Sequence, residues 1–164
     1  MLFRSSNGGN VAMDYSKEPT KPSGGGGLTS TTQDYLRFCQ MLLNGGELDG
    51  KRILSPSSVA LMRANRLSPA IMNTEGYGIA FAHISPGYGF GYDFAVFTDP
   101  GFIGSTVGKG TFTWGGAAGT WFWIDPTNDV VFVGMIQRLL GAGSPDMDTL
   151  THQLVYQALE HPEK

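Results

Sequence analysis

Apolar residues along this chain fall first at helical spacing, then at strand spacing, then at helical spacing again. Leu28-Thr29-Ser30-Thr31-Thr32-Gln33-Asp34 supplies hydroxyl caps, and Tyr35, Leu36, Phe38, Cys39, Leu42 and Leu43 follow at i, i+3, i+4 and i+7. That spacing predicts a helix from about Thr31 to Leu43, stopped by Gly45-Gly46. Asp49-Gly50 is a turn signal between Leu48 and Ile53, and Ser55-Pro56-Ser57 places an N-cap before a proline, predicting a short helix from Pro56 to about Ala64. After a loop holding Pro and Asn, Tyr77 to His83, Gly89 to Thr98, Thr111 to Trp114, Thr120 to Ile124 and Val130 to Gln137 mix aromatic and β-branched residues with small ones. These read as strands of an antiparallel meander, with Asp125-Pro126-Thr127-Asn128 as a turn. Ser144-Pro145-Asp146 caps a closing helix whose apolar stripe is Met147, Leu150, Leu154, Val155, Ala158 and Leu159.

Helices, then a meander, then a helix argue an α+β fold. The stretch from Asn7 to Gly27, with Pro19, Pro22 and four consecutive glycines, has no apolar period and reads as loop. Residues 1–27 are therefore expected to be an irregular segment and residues 28–164 the folded part.

Composition narrows the function classes. In 164 residues, 11 Lys and Arg stand against 14 Asp and Glu, a formal charge of -3, with no basic stripe; nucleic-acid binding is not expected. Charged residues make up only 15% of the chain, below the roughly 25% of an average domain. Such a chain is short of solvated surface of its own, as expected of one that packs against a partner or a missing part of the same protein, and self-association is a corollary. The lone Cys39 excludes a disulfide framework and a Cys-cluster zinc site, and His83, His152 and His161 are too dispersed for a local metal site. No cofactor or metal is expected. No run approaches a membrane span and Met1-Leu2-Phe3-Arg4-Ser5-Ser6 lacks a signal-peptide layout, so the chain as given reads as unexported, with the cytoplasm favoured.

Two glycine-rich stretches are not nucleotide sites. Gly104-Ser105-Thr106-Val107-Gly108-Lys109-Gly110 misses the phosphate-loop spacing and the following hydroxyl, and Gly87-Tyr88-Gly89-Phe90-Gly91 lacks the dinucleotide spacing. More informative is Thr111-Phe112-Thr113-Trp114-Gly115-Gly116-Ala117-Ala118-Gly119-Thr120, where a strand runs into residues with almost no side chain. Another molecule can approach such a backbone closely, and main-chain N–H groups there can face a developing oxyanion. A packed hairpin with a small-residue bend fits the same letters.

Ser23-Gly24-Gly25-Gly26-Gly27-Leu28-Thr29-Ser30-Thr31-Thr32-Gln33-Asp34-Tyr35-Leu36-Arg37-Phe38, Leu42-Leu43-Asn44-Gly45-Gly46-Glu47-Leu48-Asp49-Gly50 and the Trp-Gly-Gly segment resemble the C-terminal half of class C β-lactamase-like serine hydrolases. The likeness is to the carboxylesterases with Trp-Gly-Gly where penicillin-recognising enzymes carry Lys-Thr-Gly. It implies the C-terminal part of a β-lactamase/transpeptidase-like fold, antiparallel strands with flanking helices, and an acyl-enzyme mechanism. It also implies that Trp114, Gly115 and Gly116 line the acyl pocket and that the backbone N–H of Ala117 is one of two oxyanion donors, for a small ester substrate.

The chain departs from that pattern at the nucleophile. Three positions before its lysines stand Asp14, Glu18, Leu48, Thr106 and His161, so no Ser-x-x-Lys exists, and no Tyr opens a Tyr-x-Asn or Tyr-x-Ser. The expectation is a C-terminal portion, inactive alone, whose partner is the N-terminal part of the same enzyme. The competing reading is an independent binding module for a sugar or peptide, with Trp114, Trp121, Trp123, Tyr88 and Tyr92 as an aromatic platform; Trp121 and Trp123 share a strand face by period two.

Overall fold

The Thr31 hydroxyl accepts the N–H of Asp34 at 3.1 Å and so starts the first helix, α1 (Thr32–Leu43), where the sequence places it. The structure, a computed structural model, describes residues 28–72, 86–138 and 146–160; the loop expected over 1–27 and the strand expected over Tyr77 to His83 lie outside them. Past α1, β1 (Glu47–Leu48) and β2 (Lys51–Arg52) pair as a hairpin about Asp49-Gly50. Both turn residues have positive φ, 50° and 70°, the geometry that Asp-Gly supports in a two-residue turn. Helix α2 (Pro56–Met62) is capped by Ser55, and a short α3 (Pro69–Met72) lies in what the sequence presents as loop.

Five strands follow in sheet order β3-β4-β5-β6-β7, each antiparallel to the next: β3 (Tyr88–Phe90), β4 (Ala95–Phe97), β5 (Phe112–Gly116), β6 (Thr120–Asp125) and β7 (Val130–Met135). The single strand expected over Gly89 to Thr98 is two. Gly91 donates its N–H to the Phe94 carbonyl and Tyr92 donates to the Met62 carbonyl, which folds the segment over the end of α2. A Cβ on Gly91 would stand 1.8 Å from that Met62 oxygen, so the turn requires glycine for close approach.

The sheet buries both faces. Phe112, Phe122, Ile124 and Val96 pack against Cys39 and Leu42 of α1 and Val59 of α2. On the opposite face Phe97, Trp123 and Val107 pack against α4 (Met147–Gln157), whose Tyr156 and His152 are buried. Here the expected stripe of α4 is corrected: Leu150 and Leu154 remain 44% and 66% exposed. The helix turns toward the sheet the side on which the Tyr156 hydroxyl reaches a buried carboxylate, a preference hydropathy does not register.

That carboxylate is Asp125, which reads in sequence as the first residue of a turn and is fully buried in the structure. It accepts N–H groups of Gly108 (2.8 Å), Thr127 (2.9 Å) and Asn128 (3.2 Å), the Asn128 amide (2.7 Å) and the Tyr156 hydroxyl. Burial opposes its ionisation, but the hydrogen bonds from Tyr156, Asn128 and Gly108 outweigh that and hold its carboxyl below the usual range. Asp125 thereby ties the β4–β5 connection, the β6–β7 turn and α4 together at one point.

Candidate active site

The register of β5 creates the site. All five of its residues pair with β6, from Phe112↔Ile124 to Gly116↔Thr120, but only Phe112 and Thr113 pair with β4. The Trp114-Gly115-Gly116 end therefore runs on with no strand beside it among the described residues. At the turn beyond, Gly119 donates its N–H to the Gly116 carbonyl at 3.0 Å and takes φ 87°. In an antiparallel ladder successive residues point their N–H and C=O groups alternately to the two neighbours. Gly116 points to β6, so Gly115 points to the open side, and Ala117 follows as the first residue beyond the strand. Gly115 and Ala117 are exposed.

Beside this end lies an open cleft of about 470 Å³. Trp114, Gly115 and Gly116 line it, together with Thr120, Phe122, Val133 and Met135 of the sheet, Trp121, Gln137, and Leu28, Thr29, Ser30 and Tyr35 at the start of α1. The structure thus brings three of the four expected site residues into one cavity wall, and Ala117 stands at the turn that follows them rather than in the lining. The contributions from α1 and β7 went unrecognised in sequence. Period two on β7 puts Val133 and Met135 opposite Phe122 and Thr120, a signal available once the register is known, whereas nothing local to Leu28–Ser30 reveals that the chain crosses the sheet end there.

Among the described residues, no charged side chain lines the cleft. Trp114 meets Phe90 edge-on with centroids 5.2 Å apart, and Tyr35 tilts against Phe122 at 5.2 Å. Burial, with a lesser contribution from Cys39, raises the Tyr35 phenol above its ordinary value, so it stays protonated at neutral pH. Gly116 has a packing reason for its identity: a Cβ there would stand 2.7 Å from the Thr120 hydroxyl.

The aromatic platform does not assemble. Trp121 and Trp123 share a face as period two requires, but that face lies under α4. Trp123 has no exposed surface, stacks on Phe132 at 5.4 Å and adjoins His152 and Tyr156. Trp121 donates its indole N–H to Thr151 at 3.2 Å, and Trp114 belongs to the core on the other face. Among the described residues no group of three or more His, Cys, Asp and Glu could hold a metal ion, and no helix is long and apolar enough to cross a membrane.

A five-stranded antiparallel sheet with helices on both faces gives the chain an α+β, β-lactamase-like fold, in which the Trp-Gly-Gly strand end opens on a cleft. The chain belongs to the Beta-lactamase family, which it matches over residues 3–157. It is 44% identical over 123 residues to Protein Rv1367c of Mycobacterium tuberculosis (strain ATCC 25618 / H37Rv), covering 73% of this chain and 30% of that protein. To Esterase EstB of Burkholderia gladioli it is 36% identical over 103 residues, 62% of this chain and 22% of the esterase. Among solved structures, EstCE1, described as a hydrolase with promiscuous acyltransferase activity, matches 95% of this chain and 38% of its own with a TM-score of 0.70 at 24% identity, a likeness of fold. The chain spans about a third or less of the curated relatives it matches.

Proposed function

We propose that this chain is the C-terminal portion of a serine ester hydrolase, supplying the Trp114-Gly115-Gly116 wall of the acyl pocket and, through the Ala117 N–H, one of two oxyanion donors. The observation that carries the reading is the β5 end that outruns β4 beside the cleft, with Gly115 directed to the open side and Ala117 exposed in the turn that follows. In the reaction a serine Oγ attacks the ester carbonyl, negative charge gathers on the carbonyl oxygen, and the alkoxide leaves with a proton as the acyl-enzyme forms; water then releases the acid. A backbone N–H fixed at the strand end stabilises that oxyanion without reorganising, an effect of about 10²–10³ in rate per donor. The serine and its lysine base come from the remainder of the enzyme, so this chain is inactive alone.

The uncharged lining bears on the substrate. Trp114 offers an apolar face and one N–H where a lysine would pair with a substrate carboxylate, and no described residue lining the cleft supplies a cation in its place. Neutral short-chain esters fit this wall better than anionic β-lactams.

The test is intact-mass analysis after a fluorophosphonate serine probe, beside p-nitrophenyl butyrate hydrolysis, on the purified chain. Absence of both adduct and turnover is expected. A stoichiometric adduct with turnover, abolished by changing one serine, would mean that the chain holds its own nucleophile and would end the proposal. For a chimera in which this chain replaces its counterpart in Esterase EstB, turnover of the butyrate ester ahead of a cephalosporin is expected; the reverse order would overturn the substrate assignment.

A further inference from the structure

Trp114 forms the wall proposed for the acyl pocket, yet its own strand does little to hold it. Gly115 and Gly116, next along β5, carry no side chains to pack against the indole, and β4 begins only at Ala95, opposite Thr113. Across the ladder Trp114 pairs with Phe122 of β6. On the side that β4 leaves open, the ring that meets it is Phe90 of β3, edge-on with centroids 5.2 Å apart. Phe122 is a core residue, 5% exposed, so the sheet and α1 fix its place. Phe90 stands at the end of a three-residue edge strand, where fraying costs least, and needs a second support.

That support is Asn65, in the connection between α2 and α3. Its Oδ1 accepts the Leu67 N–H at 3.0 Å, an ordinary local turn, and also the Phe90 N–H at 3.1 Å, from 25 residues away. Its Nδ2 donates to the Leu67 carbonyl at a long 3.4 Å. Arg66 donates its N–H to the Phe90 carbonyl at 2.8 Å. Gly91 bonds inward to Phe94, so by alternation Phe90 turns both of its main-chain groups away from β4, and this loop engages both. The Asn65 oxygen stands where a neighbouring strand would place a carbonyl. Gly89 makes room for it: a Cβ there would stand 2.5 Å from the Asn65 Cγ, so the amide lies directly on the β3 backbone. Neither Asn65 nor Gly89 lines the cleft.

We propose that Asn65 is a positioning residue for the acyl pocket, an assignment that rests on the reading of Trp114 as its wall. The Asn65 amide fixes the Phe90 main chain, the Phe90 ring fixes the tilt of the indole, and the indole bounds the space for the acyl chain beside Gly115. Losing the amide loosens that wall and leaves the oxyanion donor and the nucleophile where they are. Acyl binding should weaken while the chemical step keeps its rate, which is a rise in KM at unchanged kcat. An edge-to-face ring pair is worth about a two- to tenfold change in an equilibrium, and that is the size of effect expected.

Indole N–H resonances of the full chain, with Trp114 assigned by Trp114→Phe, test the relay without reference to activity. In Asn65→Ala the Trp114 signal should move and broaden as the ring current of Phe90 is lost, while Trp121 and Trp123, held on the other face by α4, stay in place. Phe90→Leu should give the same change, and the double variant no more than either alone, because the two residues act in series. Asn65→Asp keeps the oxygen that accepts both N–H groups and should restore the parent spectrum. In the EstB chimera, Asn65→Ala should raise KM for p-nitrophenyl butyrate about two- to tenfold with kcat changed by less than about twofold, and Asn65→Asp should reverse it. An unmoved Trp114 signal, additive effects of the two substitutions, or equal movement of all three indoles overturns the proposal. A Trp114 signal that moves as expected while KM stays at the parent value overturns it as well, but through the other cause: the relay then stands and Trp114 is not the wall of the acyl pocket.

Discussion

Replacing Tyr156 by Phe removes one hydroxyl from the Asp125 cluster and little else, since the ring keeps its place against Trp123, 5.6 Å between centroids. Asp125 retains four donors, from Gly108, Thr127 and twice from Asn128. The loss is one buried hydrogen bond to an ionised acceptor, about 1.5–3 kcal/mol. With a typical urea dependence of about 1–3 kcal/mol per molar, the unfolding midpoint should fall by about 1 M. Asp125→Ala should cost more, about 3–5 kcal/mol, because it strands the buried Gly108 N–H and the Tyr156 hydroxyl together. Urea titration followed by tryptophan fluorescence measures both. The pH dependence follows from the same contacts. A carboxyl held below its unfolded value of 3.8 contributes stability above that value and loses it as pH falls through the folded one. Tyr156 makes the largest hydrogen-bond contribution to that depression, so in Tyr156→Phe the acid loss should be smaller and complete at a higher pH than in the parent chain. At the alkaline end, burial and the Asp125 bond raise the Tyr156 phenol, so its contribution is complete below pH 10 and declines as pH rises past it. A Tyr156→Phe midpoint equal to the parent's, with an unchanged acid limb, would refute the account of Asp125 as the pin joining the β4–β5 connection to α4.

Three further outcomes follow from the structure. Ala117→Pro, in the EstB chimera described above, should lower kcat about 10²–10³-fold with the fold intact, because Ala117 is the second residue of the Gly116–Gly119 turn, a position proline suits, and loses only its N–H; equal kcat would remove Ala117 from the oxyanion site. Gly134→Ala should destabilise by about 1–3 kcal/mol or more through the clash with Trp121, and a thermal melt unchanged by it would show that the indole does not lie on β7. Cys39 has no exposed surface and burial pushes its thiol up to about 12, so it should resist a disulfide reagent at pH 8 in the folded chain and react fully in urea; fast labelling of the native protein would show that α1 does not bury it against the sheet.

Local chemistry was legible wherever it acts within a few residues. Thr31, Ser55 and Asp146 mark helix starts through caps a side chain makes three residues on, Asp49-Gly50 sets its hairpin, and Thr120 to Ile124 alternates at period two. The Trp-Gly-Gly segment, with the blocks before it, pointed to the β-lactamase-like hydrolase class, since small residues at a strand end leave a mark in the letters themselves. What tertiary structure alone decided depends on which distant groups meet. The letters of Asp125 are those of an ordinary turn, and only the arrival of Tyr156 and Gly108 makes it a buried acceptor. Met147, Leu150 and Leu154 satisfy a hydrophobic period as well as Val155 and Leu159 do, and the sheet accepted the face with the hydroxyl. Trp121 and Trp123 share a face as their spacing dictates, yet α4 covers it. Register, too, is tertiary: β5 outruns β4 because the turn at Gly91 lets β4 begin only at Ala95, opposite Thr113, and that offset opens the strand edge on which the proposed site is built.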